Sequence, residues 1–134
     1  MLPILETLLR ASMESKQKIE EIDREFLEVQ ENVFLNGGMK LNIKLWGRRK
    51  AEREKALQVA KDSIAEINAT GVQVKDLDMG LLDFPCKVDT GEIVLLCWKL
   101  GETAITHWHG MEEGYAGRKP IDDRIARAEP DQIN

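Results

Sequence analysis

Several things are scarce in this 134-residue chain, and each scarcity excludes a class. No apolar run approaches the roughly 20 residues that cross a bilayer, so no membrane partner is expected. The apolar opening, Met1 to Leu9, has neither a basic leading region nor a small-residue cleavage site, and does not read as a signal peptide. Cysteine occurs twice, at Cys86 and Cys97, with no CxxC spacing and no disulfide framework. Reduced thiols and a cytoplasmic address are therefore the expectation. There is no Walker A loop, no Rossmann glycine pattern and no Ser-His-Asp or Cys-His signature. Internal repeats and low-complexity tracts are absent too.

The charge is uneven. Residues 1–70 carry 12 basic and 12 acidic side chains, whereas residues 71–134 carry 7 basic and 12 acidic, which accounts for the whole net charge of −5. An acidic C-terminal half repels phosphate backbones, so no nucleic-acid partner is expected. The one basic cluster, Arg48-Arg49-Lys50, is followed by Glu52 and Glu54 and reads as a solvated helix start.

What is present falls into two halves. Leu5, Leu8, Ser12, Ser15, Ile19, Ile22, Phe26, Val29 and Val33 follow a three-four spacing, which predicts one long helix with an apolar seam. Asn36-Gly37-Gly38 is a helix stop, because Asn and Gly accept left-handed backbone. Residues 39–46 place apolar side chains at every second position, which fits a short strand or a hook over the helix tips. A second helix is predicted over residues 48–68, with Leu57, Ala60, Ile64 and Ile67 as its seam. Two helices with narrow stripes and a short connection form an antiparallel hairpin. At about 1.5 Å per residue the first would be roughly 45 Å long, so another subunit or the C-terminal half must cover a face.

From Gly71 onward the pattern turns to short β-type runs separated by Gly and Asp turns: 72–74, 81–88, 93–100 and 103–109. They read as an antiparallel meander of three or four strands. Pro85 cannot donate to a ladder, which predicts an edge strand or a bulge there. The run 93–98 is apolar on both faces and suits a central strand. A helical turn is expected over 112–116, and residues 122–134 read as a polar tail. The fold class is thus α+β, a single domain over 1–121 with the hairpin in 1–70 and the sheet in 71–121.

Three constellations carry candidate chemistry. His107 and His109 project to one side of a strand, as a His-x-His metal pair would. Asp83, Glu102, Glu112 and Glu113 are available as carboxylate partners. If both hairpin loops hold odd residue counts, Asp83, Cys97, His107 and His109 share a face, where an acid beside an imidazole can do acid–base work. The simpler role for Asp83 is to accept backbone N–H bonds at a bulge before Pro85. Arg118, set between glycines in Gly114-Tyr115-Ala116-Gly117-Arg118, forks onto a carboxylate, with Asp83 or Glu102 the nearest partners in kind. Trp98 and Trp108 read as core aromatics, and Cys97, in an apolar run, as an inert buried thiol.

Gly71-Val72, Lys75-Asp76-Leu77, Gly80-Leu81, Asp83-Phe84-Pro85, Leu96-Cys97-Trp98, Leu100-Gly101-Glu102, Trp108-His109, Gly114, Ala116-Gly117-Arg118 and Pro120-Ile121 form an ordered set. In that set the chain resembles the bacterial family termed domain of unknown function 2203. The resemblance covers residues 71–121 and implies a fold but no reaction. It implies His at 109 and an aromatic at 107, so His109 fits the pattern and His107 departs from it. The expected function is a non-enzymatic binding or assembly module that self-associates. The alternative is a small-molecule or metal-dependent enzyme built on Asp83, Glu102, His109 and Arg118. The sequence requires no cofactor, and a small-molecule ligand is compatible with it.

Overall fold

The computed structural model describes residues 2–35, 43–121 and the backbone at 129–130. Helix α1 (Leu2–Leu35) runs 34 residues and helix α2 (Ile43–Ala69) runs 27, lengths of about 51 Å and 40 Å. They pack side by side as the predicted hairpin. The α1 seam is buried at Leu5, Leu9, Ser12, Ser15 and Ile22. Leu9 takes the fully buried position expected of Leu8, which is half-buried beside it. On α2 the buried residues are Ala56, Ala60, Ser63 and Ile67, with Leu57 and Ile64 at the margins. Small residues at the contact let the two backbones approach closely.

α2 begins five residues earlier than its periodicity indicates. Alternation over 39–46 is compatible with a strand, but tertiary contacts favour helix from Ile43. Trp46 meets Phe26 edge-on with ring centroids 5.7 Å apart, and Arg49 forks onto Glu25 at 2.6 and 3.0 Å. Arg53 bonds Asp23 at 2.7 Å. The basic cluster is therefore spent partly on α1. The remainder of the 36–47 connection, including the Asn36-Gly37-Gly38 stop, lies outside the described residues.

Strands β1 (Gln73–Asp76), β2 (Leu81–Lys87), β3 (Ile93–Lys99), β4 (His107–Gly110) and β5 (Lys119–Pro120) form an antiparallel sheet in chain order. The expected three- or four-stranded meander is β1–β4, and two-residue strands extend it. One of these, β6 (Glu129–Pro130), pairs with β2. The rest of the expected polar tail lies outside the described residues. Among the described residues, no helix is long and apolar enough to cross a membrane.

β2 is neither an edge strand nor bulged at Pro85. Its ladder to β3 runs without interruption from Leu81 to Lys87. On its other side β1 covers residues 81–83 and β6 covers 86–87. Pro85 falls in the gap between them, where a missing N–H costs no ladder bond. The irregularity is in β1, between Val74 and Asp76.

One sheet face carries Leu82 and Trp98, which pack with Val72 against Leu5 and Leu9 of α1 and Ile67 of α2. Farther along, Cys86, Val88, Val94 and Trp108 form a second apolar cluster. The turn into β2 is tight. Gly80 has φ +72°, and a Cβ there would sit 2.9 Å from Leu100 Cβ, so only glycine fits.

Candidate functional site

The opposite sheet face holds the polar chemistry. Register places Asp83 across from Cys97, Cys97 across from His107, and Leu95 across from His109. Directly paired residues project to the same side, so Asp83, Cys97, His107 and His109 share a face. Asp83 and His109 are each 1% exposed and Cys97 is equally buried. Cys86 lies on the other face, three residues from Asp83, so Cys86 and Cys97 cannot form a disulfide with each other.

His109 Nε2 lies 3.0 Å from Asp83 Oδ1, and His109 Nδ1 lies 2.9 Å from the Gly110 carbonyl. A carbonyl can only accept, so Nδ1 carries a proton and Nε2 is the nitrogen presented to the carboxylate. The other carboxylate oxygen, Asp83 Oδ2, is buried without a hydrogen-bond partner. Asp83 thus binds an imidazole across the sheet instead of capping backbone at a bulge.

Residues 111–118 connect β4 to β5, and of these Tyr115 and Arg118 lie on this face, beside Lys99 and Glu102. Glu113 holds the loop closed: its Oε1 accepts from Gly110 N at 3.0 Å and from Lys119 Nζ at 2.7 Å. Its carboxylate fills the space over Gly110 and Gly117 that a Cβ would need. Lys119 beside it, then the Gly110 N–H, hold the Glu113 carboxyl below its usual range. A 3₁₀ turn at Tyr115–Gly117, which overlaps only the end of the helical turn expected over 112–116, brings the Tyr115 ring under the Arg118 guanidinium at 4.4 Å and near Lys99 at 5.5 Å.

Arg118 bonds Glu102 Oε1 at 3.2 Å, and the same oxygen accepts from Lys99 N at 2.7 Å. Of the two carboxylates expected for Arg118, Glu102 is the partner. Burial opposes ionisation of Glu102, but Arg118 and the Lys99 N–H outweigh it and hold the carboxyl below its ordinary range. Burial and the nearby Asp83 charge push the Cys97 thiol up, against the pull of Arg118 beside it. Cys97 therefore connects the two pairs. All four residues singled out from sequence, Asp83, Glu102, His109 and Arg118, converge here around it.

His107 shares the face without joining the cluster. It is half-buried, and its Nδ1 is 2.8 Å from Thr106 Oγ1. Among the described residues, the group with donor atoms close enough for one ion is Asp83, Cys97 and His109, all within 4.8 Å of one another. Sequence reasoning passed over Cys97 as a ligand because an apolar run hides it. The signal was its parity with Asp83 across one hairpin. Glu113, considered as a site carboxylate, instead organises the β4–β5 connection.

Because the Glu102 carboxyl sits below its unfolded value, near 4.5, its contribution is full above that pH. It is lost as pH falls through the lower folded value. Glu102→Gln should flatten the acid limb of a stability–pH profile measured by urea unfolding between pH 7 and 3. An unchanged limb would show that the pair is not linked to folding.

The family model described as an uncharacterized conserved protein (DUF2203) matches residues 1–121. The chain belongs to that family. The match takes in both helices as well as the sheet, beyond the span in which the sequence motifs lie. Every member of the buried cluster falls inside it. Comparisons with curated proteins and with solved structures find no match.

Proposed function

We propose that this DUF2203 member is a cytoplasmic binding module that takes a small ligand or ion at the Asp83–Cys97–His109 centre, beside the Arg118–Glu102 pair. The observation that carries the reading is Asp83 Oδ2. A carboxylate oxygen buried without a partner costs several kcal/mol of lost hydration, and a bound group would supply the missing contact. The centre offers an acid, an imidazole and a thiol, which also serves the alternative of an enzyme. The binding reading is preferred because Asp83, Cys97 and His109 are each only 1% exposed, which suits a held ligand better than turnover of a substrate from solvent.

Self-association is supported by a separate observation. The end of the hairpin away from the sheet exposes Phe26 by 45%, Leu27 by 59% and Ile43 by 83%, apolar surface that a second subunit would cover. The cytoplasmic address is supported by Cys86 and Cys97, which stand on opposite faces without a disulfide.

Mass spectrometry of the full chain under native conditions tests the binding reading. A stoichiometric adduct is expected that is lost on unfolding and absent from Asp83→Asn. A native mass equal to the bare chain in several preparations would count against it. Light scattering should in parallel give a mass above one chain, reduced by Phe26→Ser with Ile43→Ser.

A further inference from the structure

The ligand of that centre has a chemical signature. With His109 Nδ1–H committed to the Gly110 carbonyl, a neutral ring turns the Nε2 lone pair toward Asp83 Oδ1 at 3.0 Å. Two acceptors cannot face each other at that distance unless a cation lies between them, either a proton or a metal ion. A proton satisfies Oδ1 and Nε2 but leaves Asp83 Oδ2 without a partner and makes no use of Cys97. A metal ion engages all three side chains.

We propose that Asp83, Cys97 and His109 form a binding site for one divalent transition-metal ion of the zinc class. The inference rests on the binding reading above and names the class of its ligand. Three arguments support it. The donor set of one thiolate, one imidazole and one carboxylate is a borderline-soft mixture that suits zinc over magnesium or calcium. Bonds of about 2.0–2.3 Å in a tetrahedron place donors roughly 3.3–3.8 Å apart. The three donor atoms already lie within 4.8 Å of one another, so side-chain relaxation of a few tenths of an ångström to about 1 Å suffices. Finally, metal-bound histidine commonly donates its other ring N–H to a backbone carbonyl, which fixes the tautomer, and Gly110 fills that role.

The charges balance as well. A divalent ion with one thiolate and one carboxylate is neutral, as a buried site requires. Arg118 and Glu102 form their own neutral pair at the rim. The three ligands come from three adjacent strands, so the sheet register, more than a flexible loop, sets their spacing. Three protein donors leave one tetrahedral position for a further ligand.

Cobalt(II) titration of the reduced, chelator-stripped full chain tests the assignment. Wild-type protein should develop visible ligand-field bands and a near-ultraviolet thiolate-to-cobalt band that saturate at one equivalent and are displaced by zinc. Cys86→Ser and His107→Gln should leave both unchanged. Cys97→Ser should abolish the thiolate band, and the near-isosteric Asp83→Asn and His109→Gln should each weaken binding about tenfold or more, with folding checked by circular dichroism. No saturable cobalt spectrum, a thiolate band surviving in Cys97→Ser, or one lost in His107→Gln would overturn the assignment. If a chain that takes no cobalt still carries an organic adduct in its native mass, the metal assignment fails and the binding reading stands.

Discussion

Trp98→Ala should lower the unfolding free energy by about 3–5 kcal/mol, the range for truncating a buried aromatic. Trp98 is 1% exposed and sits where both helices reach the sheet, against Leu5, Leu9, Ile67, Val72 and Leu82. Its Nε1–H also donates to the Glu102 carbonyl at 2.9 Å. Truncation therefore opens a cavity and frees the turn that carries the Arg118 partner. Urea unfolding followed by circular dichroism measures the effect, and a melting midpoint lower by on the order of 10 °C should accompany it. Trp46→Ala, at the half-buried contact with Phe26 far from the sheet, serves as the control and should cost about 1 kcal/mol. Equal losses in the two variants would show that the core is not centred on Trp98.

The second large effect concerns the buried pair. Asp83→Leu alone should cost about 3–5 kcal/mol, because it removes the one partner that His109 Nε2 has among the described residues of this interior. Combining it with His109→Leu should recover much of that loss, since a matched apolar pair removes both desolvation penalties. The measurement is a double-mutant cycle on urea midpoints in the presence of chelator, so that metal affinity does not enter. Additive losses, with coupling below about 0.5 kcal/mol, would mean that the two side chains do not act as a unit.

These effects show which parts of the site could be seen in advance. Period-two patterning assigns faces, and it correctly grouped Asp83, Cys97 and His109 once antiparallel pairing was assumed. It could not rank Cys97 against His107, because both lie on that face. Register does not separate them either; the direction of the side chain does. Cys97 pairs directly with Asp83, whereas His107, although directly across from Cys97, turns its ring toward Thr106 and leaves the carboxylate to His109 on the same strand. The Glu102–Arg118 contact was reachable from residue chemistry, yet the choice of Glu102 over Asp83 needed the turn after β3. That turn aims Glu102 at the loop, and Asp83 is already occupied by His109.

The sequence by itself determined the two-helix and β-meander division, the doubly covered central strand and membership of the sheet in its family. Local periodicity and turn chemistry carry that information within a few residues of each position. Tertiary structure alone decided three other things. Residues 43–46 are helical because Trp46 and Arg49 find partners on α1. Pro85 sits inside the sheet because β1 and β6 leave a gap beside it. Cys97, an apolar-looking thiol in a hydrophobic run, stands next to Asp83 and His109. Each depends on contacts between residues far apart in the chain, which no local pattern encodes.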